Sequence, residues 1–156
     1  RPLVGLAKLA ARQQRVDEAV ERYREAIEVA IASQAPPPFV LRPTLDLATL
    51  MVEADRCDEG ESTLRDSLEH SRAHADRFWR YAAIESLLGD CLARQPSRRE
   101  EARSLLERSY ERLAQQPDID RETLRRVLQR LESFYASLGD DPARPREIIS
   151  LQSLGP

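Results

Sequence analysis

Residues 16–26, Val16-Asp17-Glu18-Ala19-Val20-Glu21-Arg22-Tyr23-Arg24-Glu25-Ala26, carry a pattern that returns twice along the chain. The same slots read Cys57-Asp58-Glu59-Gly60 with Leu64 and Ser67, and then Arg99-Glu100-Glu101-Ala102 with Leu106 and Ser109. Each time a small residue is followed four positions on by a bulky apolar one, and three further by another small one. That spacing puts all three on one helix face and lets the helix pack closely against a neighbour. Recurrence at a near-constant interval is the signature of stacked helical hairpins, none of which buries its apolar face alone. The expected fold is all-α, an α-solenoid of about four antiparallel hairpins in a right-handed superhelix.

Working outward from these three helices, eight are expected. The first covers about Leu3 to Gln13, with Leu3, Leu6, Ala7 and Ala10 on one face, and the second Val16 to about Ala32. Pro36-Pro37-Pro38 breaks the chain. The third helix ends near Asp55; it either starts at Pro43, where a missing N–H is harmless, or near Phe39 with a kink at Pro43. The fourth runs from about Asp58 to His74 and the fifth from about Arg77 to Arg94. Ser97 with Glu100 three residues later reads as a capping box for the sixth helix, which reaches about Gln115. Asp120 caps a seventh whose Leu124, Val127, Leu128, Leu131, Phe134, Tyr135 and Leu138 form a three–four stripe ending at Gly139. A short eighth helix spans Ala143 to Leu151. The hairpins then cover about 1–35, 39–75, 76–116 and 119–151, a single domain over 1–151 with a frayed tail at 152–156.

Composition narrows the function classes. The 156 residues are 41% hydrophobic, enough for a core, and 33% charged with a net charge of −3, which is no polyanion-binding signature. Aromatic residues make up 5%, too few for stacking bases. No apolar stretch approaches the roughly 20 residues of a membrane span, and no signal peptide is visible. The expectation is therefore a cytoplasmic chain that binds neither nucleic acid nor membrane. It begins Arg1-Pro2, its single Met is Met51, and it opens inside a helical pattern, so it reads as part of a longer protein. Lys8 is the one lysine among 24 basic residues, a bias that fits a GC-rich genome. Cys57 and Cys91 form no CxxC motif. They are expected as reduced thiols of a cytosolic core, with a disulfide or redox role as the other possibility.

The repeated slots resemble the tetratricopeptide repeat. Leu3, Leu6-Ala7 and Ala10 lead to Val16, Ala19, Tyr23 and Ala26; Thr44, Leu47-Ala48 and Met51 lead to Cys57, Gly60, Leu64 and Ser67. Leu88-Gly89 and Leu92 lead to Arg99, Ala102, Leu106 and Ser109, and Leu128, Leu131, Tyr135 and Gly139 supply a fourth first helix. The period departs from the usual one. Ala19 to Gly60 is 41 residues and Gly60 to Ala102 is 42, against 34 for the ordinary repeat. The excess of about seven is close to two helical turns, so the buried faces stay in phase. Long repeats of this kind resemble those of kinesin light chains. They are also similar to the arrays that follow the kinase domain in some bacterial serine/threonine kinases. That resemblance implies a regulatory C-terminal region of a signalling protein.

No glycine-rich phosphate loop, HRD, DFG or GxSxG motif occurs, so no catalysis and no cofactor is expected of these residues. His70 and His74 stand one helical turn apart and could share a metal with Asp66; a solvated helix end is the simpler account. Arg121, Arg125, Arg126 and Arg130 form a basic patch, suited to phosphate or acidic peptide unless it is a solvated face relieved by Glu122 and Glu132. Trp79, near Phe78 and Tyr81, reads as core, or as an anchor for a partner if exposed. The resemblance implies that first helices line a concave groove. Its slots fall on Lys8, Arg12, Leu45, Thr49, Glu53, Ser86, Asp90, Arg94, Gln129, Ser133 and Ser137. Val4 and Lys8 stand where chaperone-tail binders carry Lys and Asn, so that ligand is not expected. The expected function is a scaffold binding a protein or peptide segment in the groove. The alternatives are a regulatory tail whose partner is its own catalytic domain, and a self-associating segment that forms homodimers.

Overall fold

A computed structural model describes residues 2–139, which form seven α-helices and three single 3₁₀ turns. In chain order α1 is Pro2–Arg12, α2 Val16–Ala32, α3 Pro37–Ala54, α4 Glu61–Ser71, α5 Trp79–Ala93, α6 Arg99–Ala114 and α7 Arg121–Leu138. No strand occurs among the described residues. The pairs α1–α2, α3–α4 and α5–α6 pack as helical hairpins. Between hairpins α3 lies on α5, α5 on α7, and α2 on both α3 and α4. The first helices thus make one layer and the second helices another, an all-α solenoid. The expected eighth helix and the 152–156 tail lie outside the described residues.

The repeated slots are where the helices meet. In α2 the buried residues are Ala19, Val20, Tyr23, Ala26, Ile27 and Ala30, and in α6 they include Ala102, Leu105, Leu106 and Ser109. Small residues permit close approach. Gly89 of α5 faces Leu106 so closely that a Cβ there would lie 2.8 Å from its Cγ. Gly60 stands in the same relation to the Met51 side chain.

One local detail decides between two expected forms and two depart from expectation. The third helix takes the earlier start, at Pro37, so Pro43 lies inside it and is buried. Prolines at the first positions cost little, because their N–H groups would have no partner anyway. Pro43 removes the bond to the Phe39 carbonyl. One residue on, the Thr44 hydroxyl hydrogen-bonds the Val40 carbonyl at 2.7 Å and meets the Ser67 hydroxyl of α4 at 2.8 Å. The fourth helix is not continuous over 58–74; 3₁₀ turns at Cys57–Glu59 and Arg72–His74 flank α4. The capping box at Ser97 does not form. Ser97 sits in the 3₁₀ turn Pro96–Arg98, and α6 begins after Arg98 with no side-chain cap. Asp120 does cap α7, accepting from the Thr123 N–H at 3.0 Å, and Gly139 closes it in the left-handed region.

The cysteines overturn the reduced-thiol expectation. Cys57 and Cys91 form a disulfide with Cα atoms 5.6 Å apart. Cys57 occupies the half-exposed turn before α4 rather than a buried helix face, and that turn abuts Cys91 on α5. The bond ties the second hairpin to the third. Bridges of this kind persist in oxidising surroundings.

Arginines tie the same junctions. Arg56 in the turn of hairpin two holds Asp17 of α2 and Glu59. Arg94 after α5 donates to Asp55 at 2.6 Å and to the Val52 carbonyl at 3.3 Å. Arg98 grips both oxygens of Glu61, at 2.7 and 2.8 Å, and Arg65 reaches Glu101 at 2.7 Å. The Arg98 hydrogen bond, seconded by Arg65, outweighs burial and holds the Glu61 carboxyl below the ordinary carboxylate range. Between α5 and α6, buried Glu85 accepts from Arg112 at 3.0 Å, with Arg108 at 3.7 Å. Burial pushes its carboxyl up against the pull of both guanidinium groups.

Candidate functional site

α3 carries two stripes. Val40, Leu41, Thr44, Leu47, Ala48 and Met51 face the core. Arg42, Asp46, Thr49, Leu50 and Glu53, spaced three or four apart, line a groove against α1. At one end a hollow of about 200 Å³ is walled by Val4, Lys8, Phe39, Arg42, Pro43 and Asp46. It continues into a second of about 340 Å³, where Lys8 and Asp46 recur beside Arg12, Tyr23, Thr49 and Glu53.

Charge is distributed unevenly over the molecule. Arginines in the second-helix layer and at the turns, such as Arg56, Arg65, Arg98 and Arg112, hold carboxylates. On the first helices the cations Lys8, Arg12, Arg42, Arg80 and Arg130 have no carboxylate within 4 Å among the described residues. Arg80 stacks on Trp79, 4.5 Å from the ring centre. Arg130 donates to the buried Ser86 hydroxyl at 3.1 Å. Both guanidinium groups are pushed below the ordinary arginine value, first by burial. A neighbouring cation adds to this, Arg42 for Arg80 and Arg126 for Arg130, while Asp46 and Asp90 respectively oppose it. Asp46 sits in this field half-buried, its carboxyl raised by burial despite Lys8 and Arg80. The Tyr23 hydroxyl at the groove floor is pushed up to about 12, by burial and then by Asp46, against Arg12. Cations held unpaired and partly desolvated make a face suited to anions.

The projected groove residues fall as follows. Lys8, Arg12, Thr49 and Glu53 line the α1–α3 groove. Leu45 packs partly on the core, and Thr49 donates to its carbonyl at 2.9 Å. Ser86 is fully buried under Arg130. Asp90 lies 3.7 Å from Arg94, which is already taken by Asp55. Gln129 and Ser133 are exposed on α7, and Ser137 donates to the Phe134 carbonyl at 2.6 Å. Arg42, Asp46 and Arg80 were not among the projected slots. The signal for the first two is the i,i+4 step from Arg42 to Asp46, visible only once α3 is known to begin at Pro37.

The other singled-out residues have local partners. His70 Nε2 donates to the Ala35 carbonyl at 2.9 Å, while His74 lies in the following 3₁₀ turn, edge-on to Phe78. Among the described residues no group of three or more His, Cys, Asp or Glu is placed to hold a metal. Of the basic patch, Arg125 and Arg126 lie near Glu122 at 3.6 and 3.5 Å, and Arg130 turns to Ser86. Trp79 is half-buried against the core under Arg80. It also walls a larger cleft of about 580 Å³ between the turns leading into α5 and α7, with Asp76, Ile119 and Asp120. Two of those carboxylates are engaged, Asp76 by Arg112 and Asp120 by the α7 N-terminus. Among the described residues no helix is long and apolar enough to cross a membrane.

No family model matches the chain, and no curated protein does. Among solved structures it is similar to the crystal structure of BtubC (BKLC) from P. vanneervenii, a helical-repeat protein of kinesin-light-chain-like type. The TM-score is 0.71 at 20% sequence identity, over 97% of this chain and 63% of that one. The chain thus spans under two thirds of its neighbour's length, and the likeness is one of fold: an all-helical, tetratricopeptide-like repeat array.

Proposed function

We propose that the chain is a non-catalytic protein-interaction scaffold whose first-helix groove binds an acidic segment of a protein. One observation carries this reading: every first helix presents at least one cation with no carboxylate partner among the described residues, Lys8 and Arg12 on α1, Arg42 on α3, Arg80 on α5 and Arg130 on α7, whereas arginines at the hairpin junctions hold carboxylates. Neighbouring packed helices lie about 8–10 Å apart, so four of them present cations over about 25–30 Å. That length suits an extended segment or a short helix laid across them. The hollow beside Phe39 and Pro43 offers an apolar contact within the same groove. The repeat architecture supports a scaffold, and the long period favours the kinesin-light-chain-like variety. No described residue speaks for the alternative of a bacterial kinase tail.

The test is fluorescence anisotropy with a labelled glutamate-rich peptide. Binding should weaken as salt rises from about 20 to 300 mM, because the contacts are charge–charge. Arg42→Glu with Arg80→Glu should lower affinity at least about tenfold, roughly 1.4 kcal/mol, with the helical circular dichroism unchanged. Binding indifferent to both salt and charge reversal would refute the assignment.

A further inference from the structure

The second-helix layer carries a surface that complements the groove. On α2 the buried face is centred on Ala19, Tyr23, Ala26 and Ala30. At 100° per residue Glu21, Glu25 and Glu28 point the opposite way, and all three are exposed. None is in an ion pair with any described residue. The remaining α2 carboxylates are engaged, Asp17 by Arg56 and Glu18 by Arg15 and Arg22. Arg24 is exposed on the same side of α2, three residues after Glu21 and four before Glu28, but makes no ion pair with either, and three carboxylates against one guanidinium leave the stripe net negative.

From this complementarity we infer that the chain associates with a second copy of itself head to tail, α2 of one copy lying in the first-helix groove of the next. This rests on the reading of the groove as an anion-binding face. The dimensions agree. Glu21 and Glu28 are about 10 Å apart along the helix, close to one interhelical step of about 8–10 Å, so the stripe spans the Arg42 and Arg80 rungs. The 17 residues of α2 extend about 25 Å, the reach of the whole row of cations. The exposed Val29 borders the stripe and can meet the apolar hollow at Phe39 and Pro43. Each copy offers one stripe and one groove on different layers. The contact is therefore heterologous, and it propagates as an open chain unless its rotation closes a ring.

Sedimentation velocity across concentrations up to about 500 µM, at about 20 mM and 300 mM salt, tests this. The weight-average mass should climb with concentration at low salt and fall to the monomer's at high salt. The stripe variant Glu21→Arg, Glu25→Arg, Glu28→Arg and the groove variant Arg42→Glu, Arg80→Glu should each be monomeric alone. Mixing them should restore association, since each supplies the face the other lacks, and a misfolded variant would not be rescued. A wild-type monomer throughout, or association that survives either variant alone, overturns the inference. The labelled acidic peptide separates the two levels. If it binds a wild-type chain that stays monomeric, self-association falls and the groove stands; if it does not bind, both fall.

Discussion

At the scale of single residues, the repeat rests on contacts between a small residue and a large one. Gly89 and Leu106 are such a pair, and Leu106 has no exposed surface. Gly89→Ala should destabilise by about 1–3 kcal/mol through overpacking, and Leu106→Ala by about 2–5 kcal/mol through the cavity it leaves. Together they should cost less than the sum, by about 1 kcal/mol, because the new methyl occupies space the leucine vacates. Urea unfolding of the four chains measures that coupling, and strict additivity would refute the contact. Glu85 is a different case. Only 2% exposed and held by two arginines, it should cost about 1–3 kcal/mol on replacement by alanine, read by urea unfolding, since Arg112 keeps Asp76 but loses its buried hydrogen-bond partner.

At the scale of elements, what the sequence shows depends on whether the cause is local. The α2 boundaries and its buried face follow from apolar spacing alone, and Asp120 and Gly139 mark the ends of α7 because caps are local chemistry. Pro43 is ambiguous for the opposite reason: whether a proline opens a helix or is buried inside one depends on what packs against α3, such as Ser67 of α4 on Thr44, which no window of sequence contains. Ser97 fails as a cap because Pro96 opens a 3₁₀ turn that takes the chain past it. The groove was half legible. Lys8, Arg12, Thr49 and Glu53 could be projected from repeat slots, but Arg42 and Asp46 depend on where α3 begins. The Cys57–Cys91 pairing depends on how two hairpins meet. Its loss is measurable at this scale. A bridge between residues 34 apart should contribute about 2–4 kcal/mol. Cys57→Ser, or a reductant, should then lower the melting temperature by about 4–16 °C, at about 2–4 °C per kcal/mol for a chain of this size. An unchanged melting temperature would argue against the bridge.

At the scale of the whole molecule, acid should loosen the stack at its arginine joints. Arg98 depresses the folded-state value of Glu61, so that group stabilises the fold above its unfolded value near 4.3 and ceases to as pH falls through the folded one. Lowering pH from about 7 to 3 should therefore reduce the urea midpoint, and Glu61→Gln should flatten the decline. Glu85 runs the other way, because its raised value means the fold prefers the neutral acid. Glu85→Gln should steepen the loss. Joint-by-joint behaviour is expected of a solenoid, in which each hairpin touches mainly its neighbours.

That one-dimensional character gives the disulfide a mechanical meaning. Under tension applied to its ends, an array of hairpins yields by peeling, and every residue that peels away adds slack to the line. Hairpin one and α7 are free to release theirs. The stretch between Cys57 and Cys91 is short-circuited, since force passes through the sulfurs and never reaches the 34-residue span beneath them. The oxidised chain should stretch to a contour about 110 Å shorter than the reduced one, from 3.3–3.6 Å per extended residue. The bridge thus sets how far the molecule can be drawn out before it breaks.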